Sequence, residues 1–369
     1  MKRIVFVVLI ALFALPLSAA TAQDGGEAPP LTYADVAGQF SALEEEASAA
    51  SQEVIELFLD GELEALYARL NEEARAEITL DMIEQAYALL TAGAPVGERI
   101  DGRVLMVTHE LTITRGIYAW EEIQVTFTVA FDSSGEIAGL DFQPVQPLPD
   151  DPAAGIEVPV NFRLPFDGLW FVGWGGPDPL HNYHVIAPPQ RHAYDFLIWR
   201  DGSTFSGDGK SNEDYYAYGQ PVLAPANGTV VRAVDDLPDV KPQVETDAEH
   251  PAGNHVVIRV ARDVYLFIAH LQPGSLFVAE GDAVTAGQEI GRVGNSGNTT
   301  EPHIHIHLQD MPDMFAVDED GAITGFTETI GLPLAFSDIE VNGNPFARGV
   351  PLGGQFVQPR AEAPCCSGF

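Results

Sequence analysis

The stretch Glu301-Pro302-His303-Ile304-His305-Ile306-His307 puts three of the chain's 10 histidines at alternate positions, just behind the glycine-rich turn Gly294-Asn295-Ser296-Gly297-Asn298. Side chains two apart on an extended strand share one face, so this alternation predicts a strand that presents three imidazoles together. Imidazole is a common metal ligand and a frequent general base. A face of this kind can therefore hold a metal ion and still keep a base beside it. An isolated histidine reads as a structural or solvated residue, whereas three at this spacing read as a site.

At 369 residues the chain is long enough for two ordinary domains, each with its own core. Its first residues carry Lys2 and Arg3, then the apolar run Ile4 to Leu15, and end in Ala20-Thr21-Ala22. This pattern predicts a secretory signal peptide over residues 1–22, cleaved near Ala22 and too short to span a bilayer. No cysteine stands at the end of the apolar run, and no later stretch is apolar enough to be a transmembrane segment. The mature chain is expected to be soluble and exported, to a periplasm or to the medium.

Acidic residues number 54 against 18 basic ones, for a net charge of −36, and loss of Lys2 and Arg3 makes the balance more acidic still. Nucleic acid and anionic membrane surfaces repel such a chain, which excludes them as partners. A surface with so few lysines suits a saline medium, where counterions screen its self-repulsion. The two cysteines, Cys365 and Cys366, are adjacent in a Pro- and Gly-containing tail. They supply neither a disulfide framework nor a cysteine-type zinc site.

Composition divides the rest. Residues 23–31 form a lead-in. Residues 33–92 are rich in Ala, Glu and Leu, with apolar positions at helical spacing: Val54, Leu57 and Phe58, then Leu63, Leu66, Tyr67 and Leu70, then Met82, Ile83, Ala86 and Leu90. From about Gly102 the period changes to two, clearest at Ile123, Val125, Phe127 and Val129. The turn Asp132-Ser133-Ser134-Gly135 leads to a further strand ending near Phe142. Helices followed by an antiparallel sheet predict an α+β accessory domain over 33–143. Its pattern resembles small cystatin-like or nuclear-transport-factor-like domains, and it offers no legible chemistry. Pro144, Pro147, Pro149 and Pro152 with Asp150 and Asp151 predict a stiffened linker over 144–158.

Residues 159–350 carry short β-type runs punctuated by Gly and Pro, among them Asn254 to Val260, Val264 to Ala269, Glu289 to Val293 and His303 to Leu308. An all-β antiparallel sandwich or open barrel is expected there, with loop-like insertions at 201–218 and 235–252 walling a groove. Residues 351–369 read as a flexible tail.

Several blocks of this region then resemble, in order, those of the lysostaphin-type zinc metallopeptidases. They are Gly219-Gln220-Pro221-Val222-Leu223-Ala224-Pro225-Ala226-Asn227-Gly228-Thr229-Val230, then Ala269-His270-Leu271, then Gly281-Asp282-Ala283-Val284 with Gly287-Gln288 and Ile290-Gly291, and lastly Pro302-His303-Ile304-His305. The resemblance spans about residues 160–345. It implies an exported zinc metalloendopeptidase that hydrolyses peptide cross-links or bridges of bacterial cell-wall peptidoglycan, with one Zn2+ per chain. Carried over residue by residue, it makes His305 a zinc ligand, His303 the general base, Asp195 the carboxylate ligand, and His270 the histidine that bonds the nucleophilic water or the developing oxyanion.

One position departs from the pattern. The family's first ligand histidine usually stands four residues before the aspartate, and here that residue is Arg191, whose guanidinium cannot ligate a metal. Similar members carry an Asn-Tyr-His segment ahead of a Gln-Arg-x-Ala-Tyr-Asp run, which favours His184. His192, which would need a bulge, and a site without a third protein ligand are the other options. Loss of that ligand would leave a weak metal site. An inactive member that binds cell wall or regulates another hydrolase is a second class of reading. A zinc storage protein is a third class, which leaves the glycine blocks unexplained.

His307 stands where the family commonly has an acidic residue, and is read as supporting or solvated rather than ligating. His181, His250 and His255 lie outside the matched positions. Trp170, Phe171 and Trp174 are expected in the core, Glu301 in a turn, and Asn227-Gly228-Thr229 in a turn despite its formal fit to a glycosylation acceptor.

Overall fold

The computed structural model of the chain describes residues 31–91, 99–107, 111–120, 123–145, 147–319 and 322–360. The expected signal peptide and the two cysteines lie outside them. Two compact units result, one built on Gly38–Pro147 and the other on Leu148–Arg200 together with the chain from Thr204 onward.

In the first unit the helical periodicity becomes α1 (Tyr33–Leu59), α2 (Leu63–Tyr67), α3 (Glu72–Glu77) and α4 (Leu80–Thr91). Asn71 caps α3 by accepting a hydrogen bond from the Ala74 amide at 2.9 Å. The period-two region becomes β1 (Arg99–Val107), β2 (Leu111–Trp120), β3 (Ile123–Asp132) and β4 (Ile137–Pro144), an antiparallel meander in that order. Val125, Phe127 and Val129 of β3 are fully buried against Phe58, Leu66 and Leu70 of the helical region. Phe58 sits at the centre, with ring centroids 4.5 Å from Phe142, 5.4 Å from Tyr87 and 5.6 Å from Phe127.

Truncating such a ring removes buried apolar area and leaves a void. Phe58→Ala should therefore cost about 3–5 kcal/mol. Urea denaturation of the full chain, followed by its helical circular dichroism, should show the transition moved to lower urea. A midpoint within error of the parent would mean that this cluster is not the core of the unit.

The second unit contains β5 (Trp170–Trp174), β6 (Tyr194–Leu197), β7 (Pro221–Leu223), β8 (Gly228–Val234), β9 (Asn254–Ala261), β10 (Val264–Leu271), β11 (Ala283–Val284), β12 (Glu289–Arg292) and β13 (Ile304–Gln309). It continues with β14 (Phe315–Val317), β15 (Ile323–Phe326), β16 (Gly331–Leu332), β17 (Phe336–Val341), β18 (Asn344–Gly349) and β19 (Phe356–Pro359). Eleven strands form one open antiparallel sheet in the order β11-β8-β9-β10-β13-β6-β5-β19-β17-β18, with β16 on β13. β7 and β12 make a separate two-stranded sheet. Val222 of β7 and Ile290 of β12 share a core with Ile258, Ile268, Ile304, Ile306 and Leu308 of the large sheet, so the small sheet covers one of its faces. The outcome is open antiparallel β structure, with no closed barrel.

Two expected boundaries differ. Phe356–Pro359 fall in the predicted tail but form β19, which inserts between β5 and β17 with Phe356 opposite Phe171 and Val357 opposite both Trp170 and Val341. Burial of Phe356 and Val357 explains why this segment is ordered. Ala153 and Val158 fall in the predicted linker but are buried in the core of the second unit, so the proline-rich stretch is anchored at its far end.

Candidate active site

The face of the large sheet opposite that core carries the chemistry. On β13, Ile304, Ile306 and Leu308 point into the core while His305, His307 and Gln309 share the other face, all of them buried. His305 lies directly across from Asp195 of β6, and Ile306 across from Tyr194. Tyr194 and Phe196 bury themselves in the core on either side of Asp195, which fixes the strand so that its carboxylate faces His305. The Nδ1 atom of His305 stands 2.9 Å from Oδ1 of Asp195.

His184 reaches the same carboxylate from a short 3-10 turn, Tyr183–Ile186, ahead of a second turn at Pro188–Gln190 that returns the chain to β6. Asn182 sets its direction. The Asn182 side-chain NH2 donates to the carbonyls of Gly176 and Ala193, at 3.0 and 3.1 Å, so its oxygen must accept. That oxygen takes the His184 backbone N–H at 3.1 Å and the ring Nδ1–H at 2.9 Å. The lone pair on Nε2 is left facing Oδ2 of Asp195, at 3.6 Å. Burial pushes the pKa of His184 down to about 3, so the ring is neutral.

His303 and His270 obey the same rule. Nδ1 of His303 donates to the Glu301 carbonyl at 2.8 Å, which turns the Nε2 lone pair toward Oδ1 of Asp195, 3.5 Å away. Nδ1 of His270 donates to the Ser296 carbonyl at 2.8 Å, and its ring centroid lies 4.8 Å from that of His303. Their pKa values are driven apart. Burial opposes charge on His303, but the Asp195 carboxylate outweighs it and leaves the pKa above its ordinary value. Burial and then the neighbouring histidines hold His270 well below. Burial would raise Asp195, yet His184 and His303 keep it well below the usual carboxylate range.

Among the described residues, two groups of side chains could therefore hold a metal ion, each with its ligand atoms within 4.8 Å of one another: His184, Asp195 and His305, and also His270, His303 and His305. The first fits better on the chemistry of its donors. It supplies the ionised carboxylate of Asp195, a nitrogen of His305, and the neutral imidazole of His184, whose one ring proton is engaged elsewhere. A cation is the natural occupant of such an acceptor-lined centre.

His270 is aimed by a backbone device. Leu266, Ile268 and Leu271 are in the main core while Phe267 and Ala269 pack on the opposite face. Strict alternation would thus send His270 into the core. Instead its φ is 63°, and the pairing with β9 shifts between Ile268 and Leu271, so His270 joins the site face and Leu271 returns to the core. This conformation costs on the order of 1–3 kcal/mol, a strain typical of functional positions. Gly253 (φ 56°) lets the chain approach closely, since a Cβ there would overlap the Ser296 carbonyl that holds His270.

His192 does not join the group. Its Nε2 lies 3.2 Å from Asp151, which also pairs with Arg191 at 3.9 Å. Of the other residues weighed from sequence, Trp170 and Phe171 are buried and Trp174 packs edge-on against Tyr183 at 5.0 Å. His181 and His250 pair with Asp178 and Asp247. Asn227 stands just ahead of β8 and accepts from the Ala286 amide at 2.8 Å, while Gly228 and Thr229, expected in a turn, open that strand. Glu301 accepts from the Thr204 hydroxyl at 2.6 Å, and its carbonyl is what orients His303.

Tyr183 was not singled out from sequence as a site residue. It stacks on His184 at 4.0 Å, and its hydroxyl donates to Oδ2 of Asp195 at 3.5 Å. Burial and then Asp195 push its pKa well up, so it keeps its proton. A cavity lined by Tyr183, His184, His270, Asn298, His305 and Phe315 opens over the group.

Residues 213–315 match the family model of peptidase family M23. The chain therefore carries a domain of that family, a class of peptidases. Over 91 residues it is 34% identical to the peptidoglycan DD-endopeptidase ShyA of Vibrio cholerae, a stretch covering 24% of this chain and 17% of that protein. The match therefore spans less than a fifth of that relative. Among solved structures, a zinc containing peptidase from Vibrio cholerae aligns over 63% of this chain and 61% of its own, at 16% identity and a TM-score of 0.26. The catalytic domain of lysostaphin from Staphylococcus simulans aligns over 31% and 84%, at 23% identity and a TM-score of 0.20. The family match includes His270, His303 and His305. His184 and Asp195 lie ahead of it and meet them only through the fold.

Proposed function

We propose that this protein is an exported zinc metalloendopeptidase that hydrolyses peptide bonds in bacterial peptidoglycan, with His184, Asp195 and His305 as metal ligands and His303 and His270 as catalytic residues. The observation that carries this reading is the convergence of His184 Nε2, the Asp195 carboxylate and His305 Nδ1, with the free nitrogen of His303 beside them. The substrate class rests on the family match and on the peptidoglycan endopeptidase ShyA. Two imidazole nitrogens and one carboxylate would hold a dication and leave it a net positive charge.

When bound, zinc supplies the Lewis acidity that lowers the pKa of a water to about 7 and polarises the scissile carbonyl. His303 accepts the proton of the attacking water at Nε2, while its Nδ1–H stays on the Glu301 carbonyl. The neighbouring Asp195 stabilises the imidazolium that results. As the C–N bond breaks, His303 returns that proton to the departing amine. His270, held neutral, accepts a second hydrogen bond from the water at Nε2 and orients it. The Tyr183 hydroxyl keeps its proton and serves as a nearby donor. Both histidines so disposed favour a catalytic reading over an inactive wall-binding one.

Purified mature protein should contain one zinc per chain and release soluble peptide from peptidoglycan sacculi. A chelator should abolish release, and added zinc should restore it. His184→Ala should lose metal and activity together, whereas His192→Ala should keep both, because its ring faces Asp151. Bound zinc with no turnover on any wall preparation would move the protein to the inactive class. Zinc lost from His192→Ala but kept in His184→Ala would reverse the ligand assignment.

A further inference from the structure

We infer that His307 and Gln309 are positioning residues for His305: they dictate which of its ring nitrogens faces Asp195, and thereby how tightly the site holds its metal ion. The inference rests on the proposed ligand set of His184, Asp195 and His305.

The direction of the hydrogen bonds is set at the far end of the strand. The Met311 carbonyl has no proton, so Gln309 must donate to it through Nε2, at 2.7 Å. That fixes the amide and turns Oε1, an acceptor, toward Nε2 of His307 at 2.9 Å. His307 therefore carries its proton on Nε2. In that tautomer the lone pair of this fully buried ring lies at Nδ1, on the side of His305. Nε2 of His305, 3.0 Å away, donates to that lone pair. The remaining nitrogen of His305, Nδ1, then presents its own lone pair to Asp195. Three consecutive site-facing residues of one strand thus transmit a single polarity from a backbone carbonyl to a metal ligand.

The relay is held rigidly. Ile304, Ile306 and Leu308 are buried in the core on the other face, and a one-residue slip of β13 would exchange them for His305, His307 and Gln309. The His307 ring lies nearly parallel to Phe267 of β10 at 4.9 Å and 19°. Phe267 in turn stacks on His255 of β9 at 5.0 Å and 14°. The residue expected from sequence to be supporting or solvated is wholly excluded from water, with both ring nitrogens engaged. Outer partners of this kind fix a ligand's tautomer and raise its basicity, and their loss typically weakens metal binding about 10- to 100-fold.

The test compares His307→Phe, His307→Gln and Gln309→Leu with the parent protein and with Asp195→Ala, all in the full chain. Zinc dissociation constants come from competition with a chromophoric chelator, ligand geometry from the visible absorption of the cobalt-substituted proteins, and folding from the melting temperature of the metal-free forms. Phenylalanine keeps the stack on Phe267 and breaks the relay. Glutamine can accept from His305 and donate to Gln309, so it preserves the polarity.

The expected result is a zinc Kd raised about 10- to 100-fold in His307→Phe and roughly tenfold in Gln309→Leu. His307→Gln should stay within about threefold of the parent, and the cobalt bands should shift only in the first two. If His307→Phe does not fold, Gln309→Leu decides the matter alone, since it leaves His307 and its stack in place. Parental affinity and parental cobalt spectra in both relay-breaking variants would overturn the relay while leaving the ligand set intact. A parent protein that binds no zinc, and that Asp195→Ala does not alter, would instead overturn the ligand set and the relay with it.

Discussion

Asp195→Ala should remove the zinc and lower peptidoglycan release by roughly a thousandfold or more. The size reflects what the metal would supply: several kcal/mol of charge stabilisation, and a fall in the pKa of the attacking water to about 7. Asp195 is the one anionic member of its group, and three of the site's histidines face it, with contacts of 2.9 Å to His305, 3.5 Å to His303 and 3.6 Å to His184. Without it the proposed ligand set keeps only His184 and His305, and a dication loses the carboxylate that compensates its charge. The fold should survive, because Tyr194 and Phe196 anchor β6 from the opposite face and the Tyr194 hydroxyl is tied to the Leu334 carbonyl at 3.1 Å. Zinc content, activity and near-ultraviolet circular dichroism of the purified variant check all three points. Parental activity in Asp195→Ala would remove the carboxylate from the site.

How much of this was legible in the sequence depends on how local each signal is. The helical and alternating periods of 33–143 are local, and they correspond to α1–α4 and β1–β4. The His303–His307 alternation is local as well, and β13 carries His305 and His307 on one face. The meeting of His184 with Asp195 and His305 is not local. It depends on Asn182 fixing a ring, on two short 3-10 turns, and on a strand register set 110 residues away in sequence.

His270 could be named from sequence but not aimed. Its orientation comes from a positive φ and a slipped pairing, and alternation alone assigns it to the wrong face. β19 was hidden because four residues with a proline and neighbouring glycines have no period of their own. Its stability comes from non-local partners at Phe171 and Val341. The same holds for Ala153 and Val158, whose burial belongs to the neighbouring core and not to their proline-rich surroundings.

His303→Gln separates the base from the metal, and should lower kcat by about 10²- to 10⁴-fold while leaving one zinc per chain. Glutamine can fill the space and bond the Glu301 carbonyl, but it cannot take a proton from water and return it to an amine. His303 is suited to that cycle because its two nitrogens are differentiated: Nδ1 is committed to the Glu301 carbonyl at 2.8 Å, and Nε2 faces the carboxylate at 3.5 Å. Asp195 favours its charged state, whereas burial and the other histidines keep His270 neutral. His270→Gln should therefore be the milder change, reducing orientation of the water without removing the proton acceptor. Measuring kcat and zinc content for both variants distinguishes the roles. A larger loss in His270→Gln than in His303→Gln, with zinc retained in each, would exchange the base and the orienting residue.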